Sequence, residues 1–348
     1  MKSRLFTTAI ACALAAAACE TAGERTLGID GSGVVAGIIG VDVIGSGVLG
    51  SGSPVMRDVE VVLRSLTGRG IIARTMSQAN GVFFFQNVPI GEYEVTVSPG
   101  SVPDSLVLLR VDSAHVRLGA NDTTVATIVL SYPTVSLTEA RTVALGRSVF
   151  VEGVVLNAWP TYGDSTIHLA GPESGLRLIR VAPTGVVVGD SVRVRGVRGT
   201  RDGQPVLHSA NAIFLRTVEP RQPETVDTWT AARADGGRLD ALFVRVGPSA
   251  ITDSASLATG DFRLTINDGS GPLDVVLDRN ILFRLNLAGP LFEHTLEASG
   301  LLVPRESAGG DWTLKPRIAT EAITRHVPPP TPPAADGGYG TAGRLRGG

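Results

Sequence analysis

Apolar and polar residues alternate at period two along much of this 348-residue chain. Glu92-Tyr-Glu-Val-Thr-Val97, Ser191-Val-Arg-Val-Arg-Gly-Val-Arg198 and Phe262-Arg-Leu-Thr-Ile266 each set their apolar residues on one face of a strand. Turn pairs such as Asp202-Gly203 and Asp268-Gly269 punctuate them. Helical periodicity is confined to Leu137–Val143 and Thr228–Ala234, each about two turns long. The pattern predicts an all-β chain of short strands in sandwiches or barrels. Composition agrees. Gly is abundant at 42 residues, Pro numbers 21, and Val, Thr and Leu dominate the apolar set.

The ends depart from this pattern. Lys2 and Arg4 precede an uncharged run from Leu5 to Ala18, rich in Ala and Leu. That run is too short to span a bilayer, which takes roughly 20 residues, and it reads as a secretory signal. Ala16-Ala17-Ala18-Cys19 resembles the lipobox of bacterial lipoproteins, with Ala16 where Leu is commonest. The resemblance implies cleavage before Cys19 and a diacylglycerol on its sulfur. The alternative is ordinary cleavage after Ala18, leaving a soluble protein. Residues 19–32 are expected to form a tether. Residues 327–348, rich in Pro and Gly, are expected to be a disordered tail. Cys12 leaves with the signal, so Cys19 would have no intramolecular disulfide partner.

Residues 33–131 form the first expected module. Its telling stretch runs from Ser77 to Val97 and contains Asn80-Gly-Val-Phe-Phe-Phe-Gln-Asn-Val-Pro-Ile-Gly-Glu-Tyr-Glu-Val95. Phe83 and Phe85 should share one strand face and Phe84 the other, with Tyr93, Val95 and Val97 lining the returning strand. This stretch resembles the carboxypeptidase regulatory-like domain, which implies a seven-stranded transthyretin-like sandwich serving as a spacer or weak binding module. The Gly-rich segment from Gly37 to Gly52 is longer than that family's first turn. Adhesin repeats of similar fold form Lys–Asn isopeptide bonds. The only lysines here are Lys2 and Lys315, so this module has none.

Residues 136–218 and 226–326 align with each other in outline. Each reads as a short helix followed by five strands, with a long connection between the third and fourth. That order suits a five-stranded OB barrel. Leu137-Thr-Glu-Ala-Arg141, followed by Gly146 to Val154, resembles the opening of OB-fold domains found beside extracellular nucleases and in bacterial lipoproteins. Leu242-Phe-Val-Arg-Val246 and Asn267-Asp-Gly-Ser-Gly271 match more loosely. The fifth strand of the second barrel is expected at Ala319–His326.

Net charge is −2, which gives no global attraction to nucleic acid. Within residues 141–218, however, nine Arg face five Asp or Glu. Arg193 and Arg195, with Arg177 and Arg180, are candidates for one basic barrel face. Trp159 and Tyr162 sit in the first loop of that barrel, while Phe150 and Phe214 fit its core. Basic strands beside a loop aromatic suit single-stranded nucleic acid. The competing reading is a solvated Arg face with Trp159 packed under its own loop. The five His are scattered without ligand spacing, so no metal or cofactor is expected. No nucleophile elbow or paired-carboxylate motif stands out, so no enzyme is expected. The reading is a non-catalytic, membrane-anchored envelope lipoprotein that binds other envelope proteins. The alternative is an OB-fold lipoprotein for single-stranded nucleic acid or glycan, assisting a separate hydrolase.

Cells fed a palmitate analogue are expected to label the chain, and Cys19→Ala is expected to abolish the label. Label retained on the variant contradicts lipidation at Cys19.

Overall fold

The computed structural model describes residues 31–68, 70–285, 290–305 and 311–327. The signal segment, Cys19 and the tail beyond Val327 lie outside these residues. The chain divides between Ser131 and Tyr132 into two compact units.

The first unit is a sandwich of two four-stranded sheets. One has the order β4-β1-β8-β6, from β1 (Ser32–Asp42), β4 (Val82–Pro89), β6 (Val107–Asp112) and β8 (Thr123–Ser131). The other has the order β3-β2-β5-β7, from β2 (Glu60–Ser65), β3 (Ile71–Met76), β5 (Gly91–Val97) and β7 (His115–Leu118). Eight strands replace the expected seven. The extra one arises because Ser113, at φ 57°, bends the chain between β6 and β7, which join different sheets. Period-two patterning works as expected in the core. Phe83 and Phe85 are buried edge to face, 6.2 Å apart, and Tyr93, Val95 and Val97 are buried on β5.

The Gly-rich stretch has two explanations. Its first half is strand: β1 reaches Asp42 and pairs with β8 in parallel. A Cβ on Gly37 would lie 2.1 Å from the Ala126 carbonyl and 2.4 Å from the Phe83 ring, so only Gly lets these layers close. Its second half is a loop held by Asp42. That buried carboxylate accepts from the amides of Ile44 (3.1 Å), Gly45 (2.9 Å) and Gly47 (2.5 Å). β1 also begins at Ser32, the last residue assigned to the tether.

The second unit contains two OB-like barrels. The first comprises β10 (Ser148–Val155), β11 (Ile167–Ala170), β12 (Gly175–Ile179), β13 (Asp190–Arg201) and β14 (Gln204–Thr217). Its ring order is β10-β11-β12-β14-β13, closed by β13 on β10, with β12 and β14 parallel. The second comprises β16 (Phe243–Ser256), β17 (Phe262–Asn267), β18 (Pro272–Leu277), β19 (His294–Pro304) and β20 (Trp312–Lys315). It repeats that order, with β18 and β20 parallel and β16 on β19. A short strand precedes each barrel and joins its first strand in parallel: β9 (Thr134–Val135) and β15 (Glu224–Val226). A helix follows each: α1 (Leu137–Ala140) and α2 (Thr228–Ala232). The cap of α1 is reciprocal between Ser136 and Glu139. The cap of α2 is Asp227.

Two strand expectations need correction. The fifth strand of the second barrel is Trp312–Lys315, and β21 (Ala322–His326) continues along β19 after a break at Pro316. In the first barrel one uninterrupted β14 fills both roles. Phe150 is buried as expected, but Phe214 is 54% exposed. Phe214 opposes Val192 on the core face. β12 covers β14 only at residues 206–208, so Phe214 lies past the closed wall.

The barrels are joined by apolar contacts and a buried polar junction. Leu156, Tyr162 and Ala170 of the first barrel join the apolar cluster of the second. Asp240, 2% exposed, accepts from Arg141 Nη2 (2.8 Å), Gln204 Nε2 (2.6 Å) and Trp312 Nε1 (3.0 Å). The first two donors come from the first barrel and the third from the second. Removing one partner of a buried ion pair costs about 3–5 kcal/mol. Asp240→Ala is expected to lower stability by about that amount in urea unfolding. Trp159 reports from one barrel, Trp229 and Trp312 from the other. A midpoint shift below about 1 kcal/mol, the range of a surface pair, contradicts the junction's role.

Candidate ligand-binding cleft between the barrels

A cleft of about 320 Å³ lies where the barrels face each other. Strand alternation builds its first wall. Ile167, Leu169, Leu176 and Leu178 fill the first core, so His168 and Arg177, paired in register on β11 and β12, point the other way. The opposite wall comes from β17, β18 and β20, which supply Arg263, Asp274 and Lys315. Loops 157–166 and 257–261 complete the sides. In an OB barrel this is the face that carries oligonucleotide or oligosaccharide sites.

Close approach fixes the walls. A Cβ on Gly175 would meet the Ala241 carbonyl at 2.5 Å. Tyr162 donates its hydroxyl to the Lys315 carbonyl (3.1 Å), and Asn280 Nδ2 donates to the Tyr162 carbonyl (3.0 Å). The Lys315 ammonium sits 4.5 Å from the Tyr162 ring centre and 2.7 Å from Asp278 Oδ2. Burial pushes the Tyr162 phenol well above its ordinary value, partly opposed by Arg317.

The electrostatics are balanced. Arg177, Arg263, Arg305 and Lys315 line the cleft against Asp164, Asp202, Asp261 and Asp274. Arg305 lies 3.0 Å from Asp274, and Arg177 lies 3.6 Å from Asp202. His168 Nε2 and Arg177 Nε on one wall, and Arg263 Nε and Asp274 Oδ2 on the other, are buried without a hydrogen-bond partner. Among the described residues no three His, Cys, Asp or Glu side chains gather to hold a metal ion.

The six residues that the sequence offers as ligand contacts therefore separate. Arg177 lines the cleft. Tyr162 also lines it, but as a buried junction residue. Trp159 packs on the first core with its Nε1 buried and unpartnered. Arg193 donates to Glu152 at 2.7–2.9 Å on the outer sheet face. Arg195 lies 5.4 Å over the Tyr132 ring. Arg180, at φ 53°, is exposed just past β12. The four arginines thus have separate settings. His168, Arg263 and Lys315 carry no motif that marks them as site residues. Their convergence depends on the fusion of two barrels, which no local pattern encodes.

No family model matches the chain, and no curated protein matches it in sequence. Among solved structures it is similar to the minor pilin GBS52 of Streptococcus agalactiae, at 12% identity over 30% of this chain and 45% of that one, with TM-score 0.23. It is similar to the major pilin SpaD of Corynebacterium diphtheriae, at 12% identity over 43% and 41%, TM-score 0.23. It is also similar to a murine DNA-binding protein solved with double-stranded DNA, at 9% identity over 53% and 97%, TM-score 0.26. The match spans less than half of either pilin.

Burial, reinforced by Arg177 and Lys315, pushes His168 well below its ordinary 6.5. The fold holds this ring neutral, so the unfolded chain takes up its proton first as pH falls. The stabilisation is complete above pH 6.5 and is lost progressively below it. His168→Phe is expected to flatten the pH dependence of the urea midpoint between about pH 6.5 and roughly pH 5. An unchanged slope contradicts a buried neutral imidazole.

Proposed function

We propose that this chain is a non-catalytic envelope lipoprotein, exported and held to a membrane by a lipid on Cys19. Its β modules serve as an adaptor for other envelope proteins, facing the periplasm or the cell exterior. The N-terminal pattern supports the address, and the resemblance of residues 33–131 and 136–218 to spacer and OB modules supports the architecture.

One observation carries the adaptor reading. Two sheet edges each present three consecutive exposed apolar residues: Val107, Leu108 and Leu109 on β6, and Ile213, Phe214 and Leu215 on β14. β6 ends its sheet, and β14 beyond residue 208 has a strand on one side only among the described residues. Soluble proteins blunt such edges with charge, proline or cover. An extended segment of a partner protein adds to an edge by main-chain hydrogen bonds and apolar pockets. That occupant fits both sites. The basic face of the first barrel supports the nucleic-acid alternative less well. Arg193 is neutralised by Glu152, and Arg177 lies in a charge-balanced cleft.

Photo-crosslinking residues placed at Leu108 and Phe214 in the full-length chain in cells are expected to capture discrete envelope proteins. The same probe at exposed Thr252 serves as control and is expected to capture none of them. Identical products at all three positions, or none at the two edges, contradict the adaptor reading.

A further inference from the structure

The outer face of β4, β1 and β8 in the first unit exposes no charged side chain. On β1, Val35, Gly37 and Ile39 turn to the core, so Val34, Ala36 and Ile38 turn outward. Across the ladder Ala36 lies between Phe84 of β4 and Val125 of β8, and Ile38 lies between Val82 and Thr127. A sheet face turned to water is ordinarily polar in alternation with the core. Here its polar positions, such as Gln86 and Thr127, are uncharged. The one outward carboxylate, Asp42 at the end of β1, is buried under the loop it holds. Charge begins only at the β6 edge, where Arg110 and Asp112 pair with each other at 3.0 Å.

Residues 43–56 extend this face without adding a charge. The loop folds over β1 at Gly40, where a Cβ would lie 2.8 Å from Leu49 Cδ1. Its returning arm is tied to β1, as the Val41 amide donates to the Pro54 carbonyl (2.8 Å) and the Met56 amide to the Ile39 carbonyl (3.0 Å). Thus held, it leaves Ile44 59% exposed and Val48 49% exposed, while Val125 on the sheet is 43% exposed. Aliphatic side chains on a backbone already fixed lose little further conformational freedom on docking.

We infer that this face lies on the lipid bilayer, with Ile44, Val48 and Val125 entering its interface. The inference rests on the Cys19 lipid and adds to it a second contact made by the protein itself. Two observations favour a bilayer over a protein partner. Protein hot spots are enriched in Trp, Tyr and Arg, and neither the loop nor the outward positions of the three strands carry one. The bilayer is also always in reach. The chain from Cys19 to Ser32 extends to at most roughly 45 Å. The 11 residues of β1 are about 35 Å long, so the tether lets the whole strand lie along the membrane. No charge has to leave water as the face enters, which is the costly step at a bilayer.

Nitroxide labels test this placement. Ile44→Cys and Val125→Cys are read in the lipidated protein in phosphatidylethanolamine–phosphatidylglycerol vesicles. Exposed Arg117→Cys, on the opposite sheet, is the control. The acylated Cys19 sulfur takes no label. Oxygen concentrates in lipid and a nickel chelate in water, so the ratio of their collisions with the label reports immersion. At both face positions the ratio is expected to exceed that at Arg117 several-fold. All three sites are exposed, so the substitutions leave the core intact. Two results overturn the inference. A ratio at Ile44 or Val125 no higher than at Arg117 leaves the face in water. Shielding of these labels from oxygen and nickel alike shows a protein covering it. The intact mass of the same preparation reports the lipid on Cys19, so failure of the anchor and failure of the face are told apart.

Discussion

The carboxylate of Asp240 sits between two barrels and is complete only when both are present. A buried charge needs partners, because removing it from water costs several kcal/mol that only well-placed hydrogen bonds offset. Arg141 and Gln204 reach it from the first barrel, Trp312 from the second. Arg141 also donates to the Gly175 carbonyl, which ties the α1 end to β12. Arg317 extends the seam, donating to the Leu156 carbonyl, pairing with Glu321 and stacking 3.5 Å over the Phe243 ring. With Leu156, Tyr162 and Ala170 inside the second core, the barrels act as one body. The cleft follows from that fusion, since its walls belong to different barrels and are held at one spacing.

The same constraint changes what the arginines of residues 141–218 mean. A net surplus counted along the sequence suggests a basic surface. In the fold, Arg198 is buried and donates to the Arg141 carbonyl, while Arg141 itself serves Asp240. Arg193 meets Glu152, and Arg195 covers Tyr132. Charges paired with carboxylates, as Arg141 with Asp240 and Arg193 with Glu152, do little for long-range attraction of an anion. What remains distinctive is a cleft with four basic side chains against four acidic ones and with buried, unpartnered polar atoms on His168, Arg177, Arg263 and Asp274.

How far the sequence reached depended on the range of the interaction. Local signals read well. Helical periodicity beginning at Leu137 marked the start of α1, and alternation placed Phe83, Phe85, Tyr93 and Phe150 inside. Phe214 obeyed the alternation yet stayed exposed, because where a barrel ends is decided by the neighbouring strand. Trp312–Lys315 escaped notice because four residues after a long loop carry too little periodicity. The β6–β7 split turned on one positive φ at Ser113, which non-Gly residues adopt rarely and without a local motif. Asp240, His168 and Lys315 looked like ordinary loop and strand residues. Their roles come from partners far along the chain, such as the 72-residue separation of Asp240 and Trp312.

The rigid seam is tested most directly by distance measurement across it. Spin labels at Thr200→Cys and Thr252→Cys, in a chain with Cys12 and Cys19 replaced, report the spacing of the first and second barrels by pulsed electron resonance. A single narrow distance distribution is predicted. A broad or two-peaked distribution in the otherwise unsubstituted protein would show barrels that move independently, and would contradict a preformed cleft.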